Sequence, residues 1–269
     1  MSPLRRAFYD IFRVCEASRA LPHNETTILS EPTWHRFQQA HQGSRDRWNP
    51  LEEITTLMLD ASAFNLRCVY RKSYYSQVVL THTFADSSRN TISRISEEER
   101  ATNPSVLCLA VDGQRLQRAI CDWHDHALAH LSQAHHHPTT KPNINLALLK
   151  YHALLLFLSG GPDDSFPNWI NLPSPALTQS ETCDHVTLIL DLSEQVLRHG
   201  SAPGVLLFFP LTIAGCRAIR EDQRGRVLSI LDRVRCSGFG TAKRVSETIL
   251  QCWARRDAEG RGCRELAVG

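Results

Sequence analysis

The sequence predicts an all-α fold, an irregular multi-helix bundle closed around a buried central helix at about residues 144–158. Apolar residues recur at three- and four-residue steps through most of the chain, which is the period of one helix face. Apolar-polar alternation at period two, the mark of a half-buried strand, is nearly missing, and no repeat of fixed period is visible.

Each element follows from its own spacing. Leu4, Phe8, Ile11, Phe12 and Cys15 place one apolar stripe on a first helix that Ser2 and Pro3 can open. The polar stretch from Pro22 to Trp48 interrupts it, with Pro32, Trp34 and Phe37 predicting a short helix inside. Asn49-Pro-Leu-Glu52 has the form of a capping box with proline at the first helical position, and Leu51, Ile54, Leu57, Met58, Ala61 and Phe64 supply a buried face beyond it. Tyr74, Tyr75, Val78 and Val79 suit a strand as readily as a helix, and their helical neighbours decide for helix. After a polar loop at 86–90, the residues Leu109, Leu116, Ile120, Trp123, Ala127 and Leu131 mark the next face.

Asn143 caps the apolar run Ile144 to Leu158, which Gly160 and Gly161 end, and a proline-rich loop covers 162–175. Val186, Ile189, Leu190, Ser193 and Leu197 define a helix over 180–199 with Gly200 as its left-handed terminator. Pro210 inside the apolar run 203–218 predicts a kink or a broken helix. Two helices close the chain: one over 221–236 burying Val227, Ile230, Leu231 and Val234, and one over 241–253 burying Val245, Ile249 and Trp253. These elements divide the chain into an N-terminal helix and polar linker (1–48), a helical body (49–256) and a tail (257–269) whose glycine and charge predict disorder.

Composition narrows the function classes. A chain of 269 residues can bury a sizeable core. Its 30 basic and 28 acidic residues nearly cancel, so the net charge of +2 gives no whole-chain reason for nucleic-acid binding. The nine cysteines are scattered without the Cys-x-x-Cys spacing of a structural zinc site, and their odd number suits a reducing compartment. Cys121 and Cys252 fall inside helical patterns, where a thiol behaves as a small hydrophobe. Arg5, Arg6, Asp10, Arg13 and Glu16 break any signal-peptide core, and no apolar run reaches the roughly 18 to 20 residues of a membrane span. A soluble, intracellular protein is expected.

Several constellations resemble chemistry and fail on context. His126 and His130 share one helical turn and could hold a metal through two imidazoles, with His135, His136 and His137 following. The His-Glu-x-x-His register is missing, however, and Asp122 and Asp125 fall on other faces. Gly238-Phe-Gly240-Thr-Ala-Lys243 has glycines suited to a phosphate, but no strand precedes it; Gly238 as helix terminator and Thr241 as N-cap account for it. Asp163 and Asp164 project differently and sit among prolines, as in an exposed turn. The basic excess of Arg217, Arg220, Arg224, Arg226, Arg233 and Arg235 could meet phosphates or an acidic partner, yet Glu221, Asp222 and Asp232 are interleaved with it as on a solvated face. No catalytic, cofactor-binding or metal-ligating residue is assigned, and no cofactor is expected.

Three segments carry a resemblance. Phe209-Pro-Leu-Thr-Ile-Ala-Gly215 resembles the turn and small-residue step that introduce the last two helices of the regulatory region in fungal binuclear zinc cluster transcription factors. Leu116-Gln-Arg-Ala-Ile-Cys-Asp-Trp123 is similar to that family's helix in which a tryptophan follows a leucine-rich face, and Leu146 to Phe157 is similar to its central Leu-x-x-Tyr-His helix. The likeness spans about Asn49 to Trp253. The sequence lacks the family's six-cysteine, lysine- and arginine-rich cluster, and its central helix ends in Ser159-Gly-Gly-Pro162.

The resemblance implies a nuclear regulator of transcription and no enzyme, with 49–256 as its regulatory domain, possible control of a metabolic or secondary-metabolite gene set, and partners in the transcription machinery or a homologous factor. Without the cluster, direct DNA binding is doubtful, and a zinc-cluster-less partner of a full-length factor is the alternative; a helical metal-binding enzyme using His126 and His130 stands behind it. A small-molecule effector would lie among residues such as Trp123, His152 and Phe157, which serve equally as ordinary core.

Overall fold

The computed structural model describes residues 3–23, 27–30, 34, 49–80, 102, 104–133, 141–159, 177–200 and 203–267. All regular secondary structure among them is helical. The helices are α1 (Pro3–His23), α2 (Pro50–Leu80), α3 (Pro104–Gln133), α4 (Lys141–Leu158), α5 (Gln179–His199), α6 (Phe208–Arg217), α7 (Glu221–Cys236) and α8 (Thr241–Ala267), with 3-10 turns at Ile28–Ser30 and Gly204–Leu207. The expected all-α architecture is therefore present. Apart from Trp34, the short helix at 32–37 lies outside the described residues, as do the loop at 86–90, the pair Gly160 and Gly161, and the 162–175 loop with Asp163 and Asp164.

The chain divides into two compact units, Met1–Pro138 with Leu158–Ala176, and Thr139–Phe157 with Leu177–Gly269. In the first, α1 packs on α2 and α2 on α3. Asn49 opens α2 as its spacing predicts, its side-chain oxygen accepting the Glu52 N–H at 3.4 Å. Ile54, Met58, Ala61 and Phe64 are buried from α2, and Leu116, Ile120, Trp123 and Ala127 from α3. The buried face of α1 differs from its predicted stripe. Val14, Ala17, Ala20 and Leu21 point inward, while Phe8 is 66% and Ile11 48% exposed. Arg13 explains the rotation: it is 3% exposed and reaches α2, donating to Thr56 Oγ1 at 3.0 Å and to Glu52 Oε1 at 3.5 Å. A buried guanidinium must be paired, so the face carrying Arg13 turns to its acceptors. Ala17 and Ala20 permit close approach on that face.

In the second unit, α4 has the burial expected of the central helix. Ile144, Leu146, Ala147, Leu149, Ala153, Leu154 and Leu156 are buried all round its axis, and so are Lys150, Tyr151 and His152. It begins at Lys141, so Asn143 lies in its first turn and is not the cap predicted for it. Thr178 caps α5, and Gly200 ends it in the left-handed conformation, φ +57°, as its position predicts. Where a kink at Pro210 was expected, the break comes earlier: the 3-10 turn gives way to α6 at Phe208, leaving Pro210 in the first turn. The N–H groups of a first turn have no acceptor within the helix, so proline costs no hydrogen bond there.

Gly238, at φ +97°, ends α7, and α8 begins at Thr241 as its first helical residue instead of one after a threonine cap. The backbone supplies the cap, through Ala242 N–H to Phe239 O at 3.0 Å and Lys243 N–H to Gly240 O at 3.1 Å. Helix α8 then continues to Ala267, through the segment whose composition predicts disorder. Among the described residues, no helix is long and apolar enough to cross a membrane.

Candidate functional site

The core of the second unit contains a polar seam where α4, α5 and α7 contribute. Because α4 is buried all round, the consecutive Lys150, Tyr151 and His152 are all enclosed, Lys150 at 0% exposure. His152 Nδ1 stands 2.9 Å from His185 Nδ1 on α5, and the two rings are tilted by 43°. A contact between two Nδ1 atoms is a hydrogen bond only if one ring carries a proton there and the other presents a lone pair. The pair therefore fixes complementary tautomers. Tyr151 packs edge-on to His152 at 5.0 Å.

The seam continues along α5. Gln223 of α7, 1% exposed, donates through Nε2 to Cys183 O at 2.9 Å and to Thr187 Oγ1 at 3.0 Å. Its Oε1 is buried without a hydrogen-bond partner among the described residues, as is Ser193 Oγ. At one end, Asn145 Nδ2 faces Gln195 Oε1 at 3.5 Å. At the other, Glu181 closes the cap of α5, and hydrogen bonds from the Thr178 N–H and hydroxyl, with a smaller attraction to His185, hold its carboxyl below the usual carboxylate range. These groups offer donors and acceptors inside an apolar bundle, the composition of a site that orients a polar ligand group.

A second polar junction locks α6 to α8. The Trp253 indole donates to Gly215 O at 2.7 Å, and Arg256 donates to Ala218 O at 3.2 Å and to Cys216 O. These bonds add donors to carbonyls at the end of α6, where Gly215 O also accepts the Ala218 N–H at 3.2 Å. A Cβ on Gly215 would stand 2.5 Å from Ile249 Cδ1, which gives the Ala-Gly step its physical reason: only glycine lets α8 come this close.

The residues singled out by sequence separate. Trp123 is buried in the first unit, while His152 and Phe157 belong to the second, where Phe157 meets Phe209 edge-on at 6.4 Å. His126 is exposed and His130 half-buried on α3, and the described residues contain no group of three or more His, Cys, Asp or Glu arranged to hold a metal. In the same run, His124 is pushed below its ordinary value by burial, against the pull of Asp125.

Most of the arginine excess is neutralised in place. Arg220 pairs with Asp222 at 2.8 Å, Arg224 with Asp257 at 3.1 Å and Arg235 with Asp232 at 2.6 Å. Arg226 bridges Asp191 and Glu194 at 2.7 and 2.9 Å, and Arg217 donates to Leu156 O at 3.2 Å. Sequence reading missed His185 and Gln223 altogether. His152, named as a candidate lining residue, and Ser193, a polar residue within an apolar stripe, were the seam's signals in the sequence.

By fold and site, the chain is an all-helical domain whose core carries enclosed polar groups. It belongs to the family of the fungal specific transcription factor domain, whose model matches residues 76–265. That family is one of transcription factors. No curated protein and no solved structure matches the chain.

Proposed function

We propose that this protein is a nuclear regulator of a metabolic or secondary-metabolite gene set, with its helical body at 49–256 as the regulatory domain. The family match over 76–265 is the observation that supports the reading. The domain acts through protein partners, either the transcription machinery or a homologous factor, and the seam around His152, His185 and Gln223 is where a small polar effector would shift its conformational balance. The neutralised arginines favour a protein partner over DNA, since guanidinium groups already held by Asp and Glu have less charge to offer phosphates.

The test joins the chain to a heterologous DNA-binding domain in a fungal reporter strain and measures transcription, alongside co-purification with full-length homologous factors. The expected result is altered reporter output together with capture of such a factor. A chain that leaves output unchanged and captures no component of transcription overturns the reading.

A further inference from the structure

Two cysteines lie where α6 meets α8, the Cys252 thiol against the backbone of Cys216. Gly215 lets Ile249 approach until a Cβ would collide with it, so the two helices are in close contact at this level. The next residue on α6 is Cys216, and Cys252 lies one turn beyond Ile249 on α8. The thiol of Cys252 reaches the backbone of Cys216, with Cys252 Sγ 3.7 Å from Cys216 O. Both side chains are half-buried and both thiols are free. Arg256 sits over the pair, with Nη2 3.9 Å from Cys252 Sγ while the same guanidinium holds Cys216 O.

We propose that Cys216 and Cys252 form a reversible modification site, a dithiol that a hydroperoxide oxidises to a disulfide stapling α6 to α8. The roles within the pair are unequal. Hydrogen bonding from Cys216, then the charges of Arg256, Arg255 and Arg217, bring the Cys252 thiol down to about 6. Cys216 moves the other way, held as a thiol by its bond to Cys252 and by burial. Arg256 Nη2, 3.9 Å from Cys252 Sγ, sets a positive charge beside the thiolate. Cys252 is thus the nucleophile and Cys216 the resolving thiol.

In the first step the Cys252 thiolate attacks the peroxide: an S–O bond forms, the O–O bond breaks, and the leaving alkoxide or hydroxide takes up one proton. In the second, the Cys216 sulfur displaces hydroxide from the Cys252 sulfenic acid; the S–S bond forms, and the Cys216 proton leaves with the hydroxide as water. The dithiol loses two electrons and the peroxide gains them. A disulfide needs Cα atoms about 4.4–6.8 Å apart, the kind of close approach that a glycine at the helix contact permits.

The experiment treats the reduced, purified full chain with equimolar hydrogen peroxide, then blocks free thiols and maps cysteines by mass spectrometry. The expected product is a peptide pair linked through Cys216 and Cys252 that dithiothreitol separates. The C216S variant should instead accumulate sulfenic acid at Cys252, trapped by dimedone, and C252S should leave Cys216 unoxidised. Before oxidation, Cys252 should alkylate a few-fold faster than Cys121 at about pH 7, the gain in thiolate fraction being partly offset by lower intrinsic nucleophilicity. Cys121 is the internal reference because it is exposed and its thiol is pushed up, by burial and then by Asp125 and Asp122. Full alkylation of Cys216 and Cys252 after peroxide, or equal alkylation rates for Cys252 and Cys121 in the unmodified chain, would overturn the proposal. Both outcomes are read on the unsubstituted protein, so a variant that misfolds does not obscure them, and neither depends on the transcriptional role.

Discussion

Trp253 donates its indole N–H to the carbonyl of Gly215 across 2.7 Å, inside the second unit and away from water. The same ring carries Arg224 over its face at 5.0 Å, and Arg224 in turn pairs with Asp257. One side chain of α8 therefore satisfies the end of α6 and anchors a charge from α7. The small Ala-Gly step and the final tryptophan of the resemblance are two halves of one contact.

Gly215→Ala should loosen that contact. The added Cβ would meet Ile249 Cδ1 at 2.5 Å and Cγ1 at 2.9 Å, so either the isoleucine leaves its rotamer or the helices part. Overpacking of this kind costs about 1–3 kcal/mol. Ile249→Ala is destabilising alone because it opens a cavity, but in the G215A background the new methyl occupies part of that space. Urea midpoints of the four proteins in the cycle should give a favourable coupling; strictly additive losses would show that the two residues do not share the space.

Trp253→Phe separates the hydrogen bond from the packing. Phenylalanine keeps a ring beneath Arg224 but cannot donate to Gly215 O, which stays buried. The Ala218 N–H still reaches that carbonyl at 3.2 Å, so the loss is that of one hydrogen bond, about 1 kcal/mol. The measurement is the urea midpoint; an unchanged midpoint would mean that the bond contributes nothing to the junction.

The sequence made the helices legible because each buries a stripe, and stripes at helical period are a property of neighbouring residues. Ile54, Met58, Ala61 and Phe64, or Val227, Ile230, Leu231 and Val234, are buried as their spacing predicts. What the stripe does not encode is a choice between rival faces. On α1 the larger residues Phe8 and Ile11 lost to Val14, Ala17, Ala20 and Leu21, because Arg13 reaches acceptors on α2. The seam was illegible for a related reason. His152 and His185 meet only once α4 lies against α5, and no local pattern marks either residue as the other's partner. Cys216 and Cys252 read as scattered cysteines until the approach of α6 and α8 brings them together.

The histidine pair makes a spectroscopic prediction. At neutral pH, nitrogen NMR of the imidazole rings should find one of His152 and His185 protonated at Nδ1 and the other with a bare Nδ1, as the 2.9 Å contact requires. Replacing His185 with phenylalanine keeps a ring but removes the contact, and the loss of a part-buried hydrogen bond predicts a cost of about 1 kcal/mol. Two rings in the same tautomer would disprove the bond.

Ser193 and Gln223 should respond oppositely to loss of polarity. Ser193 Oγ is enclosed without a partner among the described residues, so Ser193→Ala removes a desolvated hydroxyl and should leave stability unchanged or raised. Gln223→Leu removes the donor to Cys183 O and Thr187 Oγ1, with an expected loss of about 1–2 kcal/mol. Thermal midpoints of the two variants order them; a destabilised Ser193→Ala would reveal a role for the hydroxyl in the fold.

The cap of α5 gives the molecule an acid-sensitive end. Glu181 Oε2 accepts from the Thr178 N–H at 2.8 Å and from the Thr178 hydroxyl at 2.7 Å, while Thr178 Oγ1 accepts the Glu181 N–H at 3.2 Å. The Thr178 N–H, then its hydroxyl, hold the folded carboxyl below its ordinary value, so the unfolded chain binds this proton more readily than the folded one. The carboxylate's contribution is thus complete above the ordinary carboxylate range and is lost as pH falls through the lowered folded value. Glu181→Gln keeps an acceptor for the Thr178 N–H but has no proton to gain. The gap in urea midpoint between the unsubstituted chain and E181Q should therefore be largest near about pH 6 and narrow towards about pH 3. Amide exchange in the first turn of α5 reports the same event locally, with protection of the Glu181 and Thr182 N–H groups falling on acidification in the unsubstituted chain and staying level in E181Q. A gap that holds constant across this range would show that the carboxylate charge does not stabilise the cap.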